Sequence, residues 1–284
     1  MAGIYLGTSS WSFDAWRGVF YPEGLAKDDY LASYARRFRS VEVNTSFYGL
    51  PTPSTLLRWV EAVPLGFTFA LKFPRQISHE KRLAQSDAET LAFLDVLAAL
   101  GPAAGPALLQ LPPDFTRRRY GRVLASYLDW LAPLAARFRV AVEVRAADLM
   151  SASFAAFLAE RGFALALVDR AGTPDLYEMW DAARGAVDFA FVRWIGDDRN
   201  GPKGDREITA ARDADLDRWA TRLRALQAQD CDVFGYMHNP YEGHAPASVA
   251  RLEARLAAQG VELPAWPPSP AEGQEGADAQ LRLL

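Results

Sequence analysis

Eight short runs rich in β-branched or aromatic residues recur along the chain and alternate with stretches of helical periodicity. They are IYLGT (4–8), SVEVN (40–44), FTFALKF (67–73), PALLQL (106–111), VAVEVR (140–145), FALALVD (163–169), VDFAFVRW (187–194) and CDVFGYM (231–237). Strands separated by helix-length segments predict βα units and a parallel sheet. Helices are expected over 86–100, 119–137, 151–161, 174–184, 213–229 and 246–257. In the clearest of them, Leu216, Trp219, Leu223 and Leu226 recur at helical spacing behind Asp213 as N-cap. Eight such units in 284 residues predict an α/β fold, a (β/α)8 TIM barrel of a single domain, which takes about 250 residues. An open doubly wound sheet has the same order of elements and is the alternative. The domain is expected to span 1–263. The remainder, 264–284, carries WPPSPAEGQEGADAQ and is expected to pack loosely or fray.

Loop lengths are unequal on the two sides of these strands. Helix-to-strand links are brief, as at Pro64–Gly66 and Arg161-Gly162. Strand-to-helix links are long, as at Ser9–Leu25, Pro74–Ser86 and Gly196–Arg212. In α/β folds the working face lies at the C-terminal strand ends, where the long loops gather.

Those strand ends carry polar residues. Side chains alternate along a strand, so Glu42 and Asn44 share one face while Val41 and Val43 share the other. With the valines against helices, Glu42 and Asn44 point into the barrel mouth. Lys72, Gln110, Glu143, Arg145, Asp169 and Arg193 occupy comparable places on five further strands, and Tyr236 and Asn239 belong to the end of the eighth. Buried charges cost several kcal/mol each unless paired. The set is therefore either a self-neutralising ion network or a ligand site, and its opening onto long loops favours the ligand site.

Composition removes several classes. Half the residues are hydrophobic and the formal charge is −4, which supports a sizeable core and gives no global pull toward nucleic acid or anionic membrane. The N-terminus lacks a signal-peptide pattern, and no apolar run approaches the ~20 residues of a membrane span. A cytoplasmic protein is expected. Cys231 is the one cysteine, and the three histidines are His79, His238 and His244. An internal disulfide and a histidine-rich zinc cluster are excluded. No cofactor is predicted, although a single Mg²⁺ on Glu42, Glu143 or Asp169 is compatible with the residue types. Phosphate-loop, dinucleotide and serine-nucleophile motifs are absent, and His79-Glu80 fails as a zincin motif because position 83 is Leu. The first loop carries Trp11, Phe13, Trp16, Phe20 and Tyr21, either to stack on a ligand or to form its own small core.

The blocks GTSSWSFDAWRGVFYP, SVEVNTSFYGLP, ALKFPRQISHEKRL, LLQLPPDF, AVEVR and HNPYEGHAP resemble the YecE-like family, domain of unknown function 72. The resemblance runs from Gly7 to about Leu256. It implies a TIM barrel and no established activity. Its preferred residues fall on Glu42, Asn44, Lys72, Gln110, Glu143 and Arg145. The chain departs at the seventh strand, where relatives carry Arg-x-His-Gly and this sequence reads Arg193-Trp194-Ile195-Gly196.

Three functions fit. The first is a metal-independent hydrolase or lyase acting on an anionic small molecule. Glu42, Glu143 and Lys72 are then the catalytic candidates, a glutamate serving as acid or base, and Lys72 with Arg145 and Arg193 holds the anion. Asn44 and Gln110 orient the substrate, and Trp11 and Tyr48 wall the pocket. The second is a nucleic-acid binding or processing protein resembling barrel-type repair endonucleases, favoured by the Arg117–Arg119 run. The third is a non-catalytic ligand sensor or partner-binding barrel.

Overall fold

The computed structural model describes residues 2–181, 183 and 185–268. Of the anticipated C-terminal tail, residues 269–284 lie outside the described residues, as do positions 182 and 184 within the expected 174–184 helix.

Nine parallel strands alternate with helices among the described residues, except that the sixth leads directly into the seventh. The first half runs β1 (Ile4–Thr8), α1 (Tyr30–Ala35), β2 (Ser40–Val43), α2 (Pro53–Glu61), β3 (Thr68–Leu71), α3 (Asp87–Ala99), β4 (Ala107–Gln110) and α4 (Arg117–Leu134). The second continues with β5 (Val140–Glu143), α5 (Ala152–Ala159), β6 (Phe163–Leu165), β7 (Leu167–Arg170), α6 (Tyr177–Asp181), β8 (Phe189–Gly196), α7 (Asp213–Gln227), β9 (Asp232–Met237) and α8 (Ala245–Ala258). The expected strand over 163–169 is divided at Ala166, so that β6 pairs with β5 and β7 with β8. Helices α1 and α2 were not anticipated. The six residues of α1 are too few to display a period. For α2 the signal was local: Thr52 caps the helix by accepting from Thr55 N, and Pro53 opens it.

The strands form three parallel sheets, ordered β1-β9-β8-β7, β2-β3 and β4-β5-β6, giving a mixed α/β fold. Short contacts tie the sheets together. Ser10 N donates to Glu42 O at 2.8 Å, linking the end of β1 to β2, and Phe73 N donates to Leu108 O at 2.9 Å, linking β3 to β4.

Between β1 and β2 a side chain replaces the ladder. The Tyr34 hydroxyl accepts from Thr8 N at 2.8 Å and lies 3.0 Å from Ser40 O. A Cβ at Gly7 would stand 1.9 Å from Ser40 O, so this approach requires glycine. A similar device joins β2 to β3. Buried Ser46 Oγ accepts from Lys72 N at 3.0 Å and reaches Lys72 O at 2.8 Å, which fixes the backbone that carries Lys72.

Register assigns the faces. Residues paired across parallel strands point to the same side, and Glu42 pairs with Ala70, Gln110 with Glu143, and Arg193 with Tyr236. Val41, Val43, Leu71 and Leu109 alternate with these and belong to the apolar core.

Candidate active site at the strand ends

Five strands deliver one connected polar cluster. Arg193 of β8 donates from Nε and Nη2 to the two oxygens of Glu42, at 2.7 and 2.8 Å. Its Nη1 donates to Glu143 Oε2 at 2.5 Å. Glu143 Oε1 accepts from Gln110 Nε2 at 2.6 Å and from Arg145 Nε at 3.0 Å. Gln110 Oε1 in turn accepts from Lys72 Nζ at 2.7 Å. Glu42, Glu143 and Arg193 are buried, and Lys72 is 7% exposed. The Arg145 side chain is 26% exposed.

Charge is unevenly distributed. Three cations against two carboxylates leave one positive charge in the cluster. Arg193 is committed to both glutamates, while among the described residues Lys72 has no carboxylate within 4.0 Å. Its ammonium rests 4.0 Å from the centre of the Phe47 ring, in cation–π geometry. Burial and Arg193 lower the Lys72 pKa to about 8, although Glu143 and Glu42 oppose them. Burial works to raise Glu143, but Arg193, Arg145 and Lys72 overcome it and hold the carboxyl at about 2. Glu42 is also depressed, burial being outweighed chiefly by Arg193. Both carboxylates are thus ionised and occupied at neutral pH, which is poor preparation for acid–base work.

Two histidines join the cluster. His238 follows β9, and burial together with Arg193 lowers its pKa to about 3. Its Nε2 is sealed from solvent and has no hydrogen-bond partner among the described residues. His79 lies in the loop after β3, where burial, Lys72 and Arg82 lower it to about 4. Its Nδ1 is 2.8 Å from Ser78 Oγ, and its ring meets Phe47 edge-on at 4.9 Å. That loop contains a wide turn closed by Lys81 N on Gln76 O, and then Arg82, Leu83 and Gln85 in the left-handed region. Non-glycine residues there are strained, and such strain concentrates at functional sites. Phe47, His79 and His238 are site residues that the sequence pattern did not single out. A signal existed for His238, which stands two residues beyond Tyr236 and so continues its face.

Other candidates fall elsewhere. Asp169 was expected at the mouth, yet it pairs with Trp194 while neighbouring Val168 pairs with Arg193. It therefore faces the helices, where it accepts from Trp219 Nε1 at 2.7 Å and Tyr241 OH at 3.1 Å, with Arg212 at 3.3 Å. Asn239 Oδ1 accepts from Ala245 N at 2.9 Å and holds the start of α8. Tyr236 is completely buried, its hydroxyl 2.8 Å from Ser40 Oγ. Trp11 packs against Trp59 and Phe69, and Tyr48 is 80% exposed, so Phe47 supplies the aromatic wall instead. Asn44 is half-buried at the end of β2, with no side-chain hydrogen bond among the described residues. The first-loop aromatics form their own core: Trp16 is fully buried, and Tyr21 stacks on Tyr30 at 4.4 Å.

Among the described residues no group of three or more His, Cys, Asp or Glu side chains could hold a metal. No helix there is long and apolar enough to cross a membrane.

The model of the family described as "Protein of unknown function DUF72" matches residues 5–274. The chain belongs to this DUF72 family. It is 37% identical over 142 residues to the UPF0759 protein YecE of Escherichia coli K12, a match covering 50% of this chain and 48% of that protein. The alignment thus spans about half the length of that curated relative. The fold resembles the crystal structure of a DUF72 family protein from Thermotoga maritima, with a TM-score of 0.73 and 23% identity over 92% of this chain and 100% of that one. A more distant likeness is to the structure of SacUVDE, with a TM-score of 0.52 and 9% identity over 93% of this chain and 100% of that one. At these identities the two structures speak to fold alone.

Proposed function

We propose that the strand-end cluster is the centre of an enzyme acting on an anionic small molecule, with Lys72 as the group that moves the proton. The observation that carries this reading is the state of Lys72. It is a nearly buried amine with a neutral hydrogen-bond partner and a pKa lowered to about 8, in a cluster with one surplus positive charge. An amine titrating near neutrality exchanges a proton with substrate far more readily than an ordinary lysine. The acid–base role expected of Glu42 or Glu143 passes to Lys72, because Arg193 occupies both carboxylates. In this reading they hold Arg193 rigid, and Glu143 aims Lys72 through Gln110. Arg145, partly exposed and with no hydrogen bond from its terminal nitrogens to a carboxylate among the described residues, holds the anion. Asn44 and the neutral imidazole of His79 offer further hydrogen bonds. Hydrolase or lyase chemistry fits such a group, since both need one proton moved beside a stabilised negative charge.

The same reading takes the strands as a closed (β/α)8 barrel of one domain over 1–263, β6 and β7 together forming one stave. Support comes from the bridges Ser9–Glu42 and Lys72–Leu108 between sheets and from the continuous chain through Ala166. The cluster would then sit at the barrel's C-terminal mouth.

The test is a thermal-shift screen of carboxylated and phosphorylated metabolites against the wild-type chain, Lys72→Met and Arg145→Ala, followed by turnover assays on the hits. A ligand of native protein raises its Tm. The reading expects hits that weaken in Arg145→Ala and lose turnover in Lys72→Met. Turnover that survives Lys72→Met would overturn it.

A further inference from the structure

The loops around the mouth carry many cations, and most are spoken for. Arg75 pairs with Glu80, Lys81 with Glu89 and Arg82 with Asp114. Four arginines behave differently. Arg117, Arg118, Arg119 and Arg122, all exposed, line a cleft of about 740 Å³ between α4 and α5. None of them has a carboxylate within 4.0 Å among the described residues. Asp148 is the one acidic residue among those lining the cleft, and its Oδ2 accepts from the backbone nitrogen of Arg118 at 3.3 Å.

In a chain of net charge −4, four unpaired guanidinium groups around one concavity repel one another unless an anion joins them. Arg118 and Arg122 are one helical turn apart and so share a face. They stand on the first turns of an 18-residue helix whose amide ends add a partial positive charge. Planar guanidinium forks match the paired oxygens of a phosphate. The cleft floor is apolar, built from Leu124, Leu149 and Phe154, which lowers the local dielectric and strengthens the attraction. Both walls begin just after strand ends, α4 after Gln110 and the Asp148 turn after Glu143, so the cleft opens on the same side of the sheets as the Lys72 cluster.

We propose that the α4–α5 cleft is a phosphate-binding site, gripping phosphoryl or phosphodiester groups through Arg117, Arg118, Arg119 and Arg122. It shares no side chain with the strand-end cluster and stands independently of the activity assigned there. Two sources supply such groups, a small phosphorylated molecule and a nucleic-acid strand.

The experiment titrates inorganic pyrophosphate by calorimetry, and a short fluorescein-labelled single-stranded oligonucleotide by anisotropy, at several salt concentrations. The proteins are the wild-type chain, the double variant Arg118→Ala/Arg122→Ala, and Arg58→Ala as control for an exposed arginine on α2 outside the cleft. The double variant is expected to bind about tenfold more weakly at low salt, with the slope of log affinity against log salt reduced by about 1.4 for the single-stranded probe. Arg58→Ala is expected to bind as wild type. Pyrophosphate binding alone supports the site with a small phosphorylated ligand, and strand binding supports it with a nucleic acid. Absence of binding by both probes, or equal weakening by Arg58→Ala, would overturn the proposal. Thermal melts of all three proteins confirm that surface substitutions leave the fold intact, and no outcome here bears on Lys72.

Discussion

Arg193 and Glu42 meet fork to fork, two parallel hydrogen bonds of 2.7 and 2.8 Å joining residues 151 positions apart. The pair is 4% and 0% exposed at its side chains, and Glu143 extends it into a buried triad. In such a place the desolvation of each charge is several kcal/mol, recovered only while every partner is present.

Arg193→Met is therefore expected to lose about 3–5 kcal/mol in urea denaturation, because it strands the buried Glu42 carboxylate and leaves buried Glu143 with only Arg145 and Gln110. Adding Glu42→Gln and Glu143→Gln to Arg193→Met should return much of that loss, since it removes the stranded charges. If the triple variant were as unstable as Arg193→Met alone, the loss would come from packing and the electrostatic account would be wrong.

Acid should weaken the fold in two stages. Neutral His79 and His238, lowered to about 4 and 3, bind fewer protons than in the unfolded chain, whose histidines titrate near 6.5. Their contribution is fully present above pH 6.5 and fades as pH falls through those folded values. Glu143, held at about 2, adds stability that is present above about pH 4.5 and is lost as pH falls toward 2. Denaturation midpoints measured from pH 7 to 2.5 check this. Replacing His79 and His238 by Gln should flatten the limb below pH 6.5, and Glu143→Gln should flatten the limb below 4.5.

The sequence made the strand-end set legible because alternation is a strict rule. Glu42, Lys72, Gln110, Glu143, Arg145 and Arg193 interrupt apolar partners at period two, and all six converge. Asp169 obeyed the same local pattern and still points the other way. Its strand restarts after Ala166 and takes register from β8, information that belongs to pairing and not to the residues nearby. The roles within the set were equally hidden. Arg193 looked like an anion holder until its guanidinium proved to be divided between two glutamates. The Arg117–Arg119 run was visible, but whether its charges were paired depended on what α5 and the Asp148 turn brought beside it.

Lys72 offers a titration that can be read directly. Its pKa in the fold is lowered from 10.5 to about 8. A protonated Lys72 therefore costs stability, a cost fully present below pH 8 and relieved as pH rises toward 10.5. Lys72→Met is expected to stabilise the fold at pH 7 by up to about 3 kcal/mol less the cost of leaving buried Gln110 Oε1 unpaired, the gain disappearing above pH 10. Side-chain ¹⁵N resonances of labelled protein should show the amine titrating near 8, and lower in Glu143→Gln, where a charge that raises the value is removed. A Lys72 amine that titrates near the ordinary lysine value of about 10.4 would refute both the burial argument and the proton-transfer role built on it.

The seam between β1 and β2 sets the position of Glu42, because Ser40 and Glu42 share one face of one short strand. Tyr34→Phe removes the hydroxyl that serves Thr8 N and Ser40 O, leaving buried backbone groups unpaired at a cost of about 1–3 kcal/mol. Gly7→Ala asks more. Its methyl would lie 1.9 Å from Ser40 O and 2.9 Å from the Tyr34 hydroxyl, so β1 and β2 must separate. Because Ser10 N also holds Glu42 O at 2.8 Å, that separation pulls on the backbone beneath the Glu42–Arg193 pair. Gly7→Ala is accordingly expected to destabilise more than Tyr34→Phe and to shift the Lys72 resonance as well, whereas Tyr34→Phe should leave that resonance in place. Equal stability losses with an unmoved Lys72 signal would mean that the seam and the site are mechanically independent.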